Sequence, residues 1–154
     1  MAVIDLRSDT VTKQSGEMRQ AMADAEVGHD VYVADPSINK LQQKAADLLG
    51  KEAGLLMASG TMSNLVAALT HCKRGDEIIM GDQAHMFWNE SAGASALAGA
   101  QLRLVPNDPQ GRIDLDDLKN AIRPKGNVHM PPTTLICLKN HHNRCTRRGL
   151  TPPH

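Results

Sequence analysis

Leu55-Leu56-Met57-Ala58-Ser59-Gly60-Thr61-Met62-Ser63-Asn64 is the stretch whose reading decides the fold. It reads as a short buried strand, a tight Ser-Gly-Thr turn and the start of a helix. Gly60 lets the backbone turn sharply and come close to whatever sits there. Behind it, Thr61, Met62 and Ser63 offer the unpaired N–H groups of a first helical turn, which suit an anion such as a phosphate. An ordinary helix N-cap is the other reading of the same turn.

Working outward, residues 53–57 form the strand that feeds this motif. Met62, Leu65, Val66, Ala68 and Leu69 mark a helix running towards Cys72. Upstream, Ile38, Leu41, Ala45, Leu48 and Leu49 give a helical stripe. Asp35 or Ser37 starts that helix, with Pro36 in its first turn, and Gly50 closes it. Before it lies the loop Gly28–Pro36, in which Tyr32 is either a packed ring or a recognition residue. Met18, Ala21, Met22 and Ala25 share one face of an earlier helix. The polar run Arg7–Thr12 is a surface loop or a ligand loop.

Downstream, Gly75-Asp76 turns into a strand, Glu77–Met80, that ends at Gly81. Asp82–His85 leave it, and residues 87–98 read as helix rich in small side chains. Gln101–Val105 is the next strand and Asn107–Gly111 a turn. Asp114 caps a helix whose buried face is Leu115, Leu118, Ala121 and Ile122, with Asp117 as an acidic first-turn partner. Thr133–Leu138 is the last strand. Short apolar strands alternating with amphipathic helices predict an α/β fold, a mostly parallel sheet covered by helices. Ligands gather at the C-terminal ends of such strands. Ser59–Thr61, Asp82–His85 and His141–Asn143 all follow strands, so they are expected on one rim. The organisation expected is an N-terminal arm with helices (1–52), a partial α/β cofactor-binding domain (53–143) and a divergent, disordered tail (144–154).

With 154 residues the chain is one domain's worth, and 17 basic against 17 acidic residues leave no net charge. Neither a nucleic-acid partner nor a membrane partner is expected: no long basic block precedes the last dozen positions, and no apolar run approaches the roughly 18 residues of a span. The first residues lack a basic leader with a long apolar region, so no secretory signal is read. Cys72, Cys137 and Cys145 show no Cys-x-x-Cys pair and read as free thiols in a reducing compartment, which gives a cytoplasmic expectation.

A phosphate at Gly60-Thr61 and a flat ring at His85 together suggest a phosphorylated aromatic cofactor. The imidazole of His85 can stack on a pyridine face or act as acid or base; a surface or capping histidine is the plainer reading. His29, His85, His141 and His142 lack metal-ligand spacing, so no metal is expected. Neither a Gly-x-x-x-x-Gly-Lys-Ser/Thr loop, a Gly-x-Gly-x-x-Gly fingerprint nor a Gly-x-Ser-x-Gly elbow occurs.

Several ordered segments carry a specific resemblance. They are Asp5–Thr12, Asp30-Val31-Tyr32 with Asp35-Pro36, Leu48–Ala53, Ser59–Asn64 and Gly81-Asp82-Gln83-Ala84-His85. From Val3 to about Asn143 the chain resembles the N-terminal part of the low-specificity L-threonine aldolases. These are pyridoxal-phosphate enzymes of the aspartate-aminotransferase-like fold (fold type I), and the chain would hold only part of that fold's large domain. The resemblance implies pyridoxal 5'-phosphate as cofactor, its phosphate held by Gly60 and Thr61. His85 would stack on the pyridine ring and help handle the substrate hydroxyl, and His129 matches a second active-site histidine. Ser8, Tyr32 and Phe87 would face the amino acid substrate, Tyr32 commonly in the neighbouring subunit's site of a dimer or tetramer. The family reaction splits threonine or allo-threonine into glycine and acetaldehyde.

Departures accompany the likeness. Val33-Ala34 stand where the family has Gly-Glu, so Val33 is expected to strain a backbone that glycine would relax. Lys139-Asn140-His141-His142-Asn143 replace Glu-Asn-Thr-His-Asn, reversing a charge near a phosphate site. The family's Schiff-base lysine, its aspartate for the pyridinium nitrogen and its carboxylate-clamping arginines have no match here. The expectation is an aldolase-like chain cut short and inactive alone. The alternative is a non-catalytic product that binds phosphate ligands or an intact aldolase subunit.

Overall fold

Ile78, Ile79 and Met80 form an unbroken apolar run after Gly75-Asp76-Glu77, and such a run suits a strand covered on both faces. The computed structural model, which describes Ile4, Asp5, residues 8–146 and Gly149, places them in β1 (Glu77–Gly81), all five residues of which are buried. The chain divides into two compact units, Met1–Leu56 and Met57–His154.

In the second unit, β1 lies between β2 (Gln101–Val105) and β3 (Thr133–Cys137), and both pairings are parallel. The register sets Ile78 beside Leu102 on one side and Leu135 on the other, with an irregularity between Glu77 and Ile78 on the β3 side. Alternation along β1 then assigns its two faces. Ile78 and Met80 pack with Ala68 of α3 (Gly60–His71), with its C-cap Cys72 and with Ala94 of α5 (Gly93–Ala96). Ile79 faces the other way, onto Val105 and onto Ala121 of α6 (Leu115–Ala121). This is the α/β architecture expected, a parallel sheet with helices on both faces.

At the N-terminal end of the strands Glu77 is fully buried and fully paired. Arg123 meets its carboxylate at 3.0 Å, Thr133 donates at 3.1 Å and Gln101 at 3.1 Å. One carboxylate thus fixes the starts of all three strands, and a buried charge is tolerated because it is compensated.

Several local readings are altered by packing. Residues 53–57 form no strand: among the described residues none pairs with them, and Leu55 and Leu56 are exposed. The span 87–98 is two short helices, α4 (His85–Trp88) and α5, interrupted at Asn89–Ala92, where Ser91 and Ala92 both take left-handed backbone angles. On α6 only Ala121 is buried and Leu118 partly so, while Leu115 and Ile122 are exposed.

In the first unit, α1 (Gly16–Ala23) is capped by Ser15, with Met18 and Met22 exposed. In α2 (Pro36–Leu49) the local signals all operate: Asp35 caps, Pro36 opens and Gly50 ends the helix at φ +60°. The Asp35 carboxylate accepts from the N–H groups of Ile38 and Gly28, which holds its pKa below the usual carboxylate range. Val33 has φ 56° and ψ 29°, the left-handed region that a β-branched residue avoids. The strain expected there is present. Leu6, Arg7 and most of the segment 147–154 lie outside the described residues.

Candidate active site

At the C-terminal end of β1 and β3 lies a cleft of about 420 Å³. Gly81, Ala84 and His85 line it from the β1 side, Ile136 and Cys137 from β3, and Asn107 from the exit of β2. Its rim closes tightly because two positions lack side chains. A Cβ on Gly81 would strike the Asn107 side chain, and one on Gly111 would lie 2.8 Å from His142 Cβ. Asn107 uses that space to join two strand exits. Its Oδ1 accepts from the Gln83 N–H at 3.0 Å, its own N–H donates to Asp82 Oδ1 at 3.1 Å, and its Nδ2 donates to the Gly111 carbonyl at 3.0 Å.

His85 stands at the first position of α4, its side chain 36% exposed, with Nδ1 2.7 Å from Oε1 of buried Glu90. Asn64 Nδ2 donates to the same oxygen at 2.7 Å. Asn64 lies about one turn along α3 from Gly60, so Glu90 ties the beginning of that helix to His85. Ser59 is the N-cap, its hydroxyl accepting from the Met62 N–H at 3.1 Å. The N–H groups of Gly60 and Thr61 precede the first intrahelical bond and have no acceptor in the helix. Both residues are exposed, and a Cβ built on Gly60 meets nothing within 4 Å. They do not line the cleft itself; Asn64 does.

Beyond β3, Lys139, Asn140 and His142 line the cleft, whereas His141 is exposed. His142 is 2% exposed, its Nδ1 accepts from the Arg144 N–H at 3.4 Å, and its Nε2 has no hydrogen-bond partner among the described residues. Burial lowers its pKa, the Lys139 and Arg144 cations lower it further, and Asp82 opposes them. Arg144 lies 4.6 Å over the Trp88 ring and donates from Nε to Gln83 Oε1 at 3.1 Å. Burial, aided by the neighbouring Cys72 and Glu90, pushes the Cys137 thiol up to about 11. Burial likewise raises Cys145. Neither is a thiolate at neutral pH, so neither serves as a nucleophile there.

Of the other expected positions in the second unit, neither Phe87 nor His129 lines the cleft. Phe87 packs edge-on against Trp88 at 5.4 Å. His129 is exposed in the loop before β3, its N–H donating to Asn127 Oδ1 at 3.0 Å, and is not among the cleft residues. In the first unit the Ser8 hydroxyl accepts from the Thr10 hydroxyl at 3.0 Å, and the exposed Tyr32 ring lies 4.7 Å from that of His29. Glu90 and Asn107 carried no sequence signal for this site. In a continuous helix, positions 85 and 90 point about 140° apart, and only the break after Trp88 lets them meet. Among the described residues no cluster of three or more His, Cys, Asp or Glu could hold a metal ion, and no helix is long and apolar enough to cross a membrane.

Residues 5–148 match the family model described as beta-eliminating lyase. The chain belongs to that family. Its relatives bear out the resemblance to threonine aldolases. A probable low-specificity L-threonine aldolase 2 of Arabidopsis thaliana is 46% identical, covering 96% of this chain and 42% of its own length. The low specificity L-threonine aldolase of Escherichia coli is 45% identical over 92% of this chain and 42% of its own length. That of Saccharomyces cerevisiae is 39% identical over 90% and 36%. The chain therefore spans well under half the length of these relatives.

Proposed function

We propose that this chain carries the phosphate-binding and ring-binding part of a pyridoxal-phosphate lyase. Its substrate would be a β-hydroxy amino acid, L-threonine or L-allo-threonine, cleaved to glycine and acetaldehyde. The observation that carries this reading is the pairing of an open, exposed helix N-terminus at Gly60-Thr61 with an imidazole on the cleft, both tied to Glu90. The donor set fits the group: free N–H groups of Gly60 and Thr61 and the Thr61 hydroxyl suit a phosphate dianion. The His85 ring suits a pyridine face. When bound, the cofactor supplies an electron sink for the carbanion left as the Cα–Cβ bond breaks.

Of this chain's own residues, Gly60 and Thr61 hold the phosphate, and His85 orients the ring and accepts the proton of the substrate hydroxyl. Roles for Ser8, Tyr32, Phe87 and His129 towards substrate are proposed from the resemblance alone, as is assembly into oligomers; a cytoplasmic location is proposed from the three cysteines, whose spacing gives no Cys-x-x-Cys pair. Lys139 is the lysine that lines the cleft, and it stands where the aldolases have glutamate. No residue matches their Schiff-base lysine. We therefore expect the 154-residue chain to bind cofactor without turning threonine over.

Titration with pyridoxal phosphate, followed by equilibrium dialysis, tests the reading. Loss of the Thr61 hydroxyl in Thr61→Ala removes one charge-assisted hydrogen bond, roughly 1.5–3 kcal/mol or about 10- to 150-fold in affinity. Equal affinity in wild type and Thr61→Ala would remove the phosphate assignment. Glycine release from threonine above the rate with free cofactor would overturn the expected inactivity.

A further inference from the structure

Glu90 is a buried carboxylate in the turn between α4 and α5. It accepts at one oxygen from two sides, from Asn64 Nδ2 and from His85 Nδ1, each at 2.7 Å. An ionised carboxylate oxygen only accepts, so opposite an ionised Glu90 the proton in the short contact with His85 belongs on the ring nitrogen. An imidazole whose Nδ1 carries the proton has, in its neutral form, a lone pair on Nε2. Among the described residues the hydrogen bond of the His85 ring is the one at Nδ1, and Nε2 has no protein partner. In water a free histidine side chain prefers the opposite tautomer, so the protein imposes this one.

We propose that Glu90 is a positioning residue that locks His85 as the Nδ1–H tautomer and thereby makes Nε2 the proton-accepting atom of the site. Asn64 completes the device. Its amide fills the other acceptor direction of Glu90 Oε1 and fixes the carboxylate relative to α3, the helix whose N-terminus is proposed to hold the phosphate. The left-handed residues Ser91 and Ala92 follow Glu90 directly, at φ 51° and 57°, in the turn between α4 and α5. Strain of this kind persists where surrounding contacts over-determine the backbone. In the reaction, the substrate hydroxyl proton passes to His85 Nε2, leaving its electron pair on oxygen. The imidazolium so formed keeps its Nδ1–H on Glu90, which the carboxylate stabilises. This assignment of a role in catalysis rests on the function proposed above; the tautomer does not.

The test reads nitrogen chemical shifts of the His85 ring by long-range ¹H–¹⁵N NMR on the full chain without cofactor, at a pH where the ring is neutral. The expected result is a protonated-type Nδ1 and a lone-pair-type Nε2. In Glu90→Leu the acceptor is lost, and the ring should revert to a majority of Nε2–H. If that variant loses its folded spectrum, Glu90→Gln keeps the shape, and its amide can donate to Nδ1 as well as accept, so a mixture of tautomers is expected. A wild-type ring with its proton on Nε2, or a folded Glu90→Leu that keeps the Nδ1–H form, overturns the proposal. Failure of pyridoxal phosphate to bind would remove the functional reading and leave the tautomer result standing.

Discussion

Residues 53–57 and Glu77–Gly81 are segments of the same length with apolar centres, and they end in opposite states. The second is buried at every position, between parallel partners on both edges and helices on both faces. The first is irregular, with Leu55 73% and Leu56 49% exposed, and its one described backbone link runs from the Leu56 N–H to the Gln42 side chain at 2.9 Å. An apolar run nominates a strand. Hydrogen-bonding neighbours make it one, because extended backbone satisfies none of its own N–H and C=O groups. The two regions also differ in how they hold charge and strain. Glu77 opens β1 with its charge compensated, while the first unit carries an exposed Val33 in a left-handed conformation.

The sharpest way to break this contrast is to truncate one side chain in each run. Ile79→Ala should lower the free energy of unfolding by about 2–5 kcal/mol, since a fully buried side chain leaves a cavity between β1 and α6. Leu55→Ala should change it by no more than about 0.5 kcal/mol. Urea titration of both variants measures the difference, and comparable losses would mean that residues 53–57 are buried in the protein in solution.

A smaller effect is expected where backbone strain is relieved. Val33→Gly should raise stability by about 1 kcal/mol, the left-handed penalty less the extra freedom of glycine in the unfolded chain. A Val33→Gly chain that melts at or below the wild-type temperature would show that the strain is not stored there.

The smallest effect is a pH dependence confined to the second unit. His142 has a folded-state pKa below the ordinary value of about 6.5. The unfolded chain therefore takes up its proton first, and stability falls as pH drops below that value, levelling off once the folded form is protonated too. Above about pH 7.5 the contribution is complete and flat. Trp88 is the chain's single tryptophan and lies under Arg144, two residues from His142, so its emission during acid titration reports the change. His142→Gln should flatten this limb. An unchanged acid limb in that variant would assign it to other groups.

Much of the architecture was legible because its determinants are local. Asp35, Pro36 and Gly50 bound α2, Ser59 caps α3, Asp114 caps α6, and the bounds of β1 and β2 follow from their apolar runs and turn residues. In each case the deciding groups lie within a few residues of one another, so the order of residues alone places them. His85 was legible as a residue of the strand rim for a related reason: it follows shortly after the exit of β1, and it lines the cleft there. Asn107 was legible only as a turn residue. Its side chain reaches Asp82 and Gln83, about 25 positions away, because β1 and β2 are neighbours, which no local pattern states.

By itself, then, the sequence determined the kind of element at most positions, the parallel α/β class and the family, since capping, periodicity and ordered motifs are written in near neighbours. The tertiary structure alone decided that residues 53–57 stay unpaired and that α4 breaks so His85 meets Glu90. It also decided that His142 is buried against Gly111 and that Thr61 lies outside the cleft while Asn64 lines it. The physical reason is common to all of these. Pairing, burial and proton placement depend on which groups meet in space, and the chain brings those groups together only when the sheet and its helices have formed.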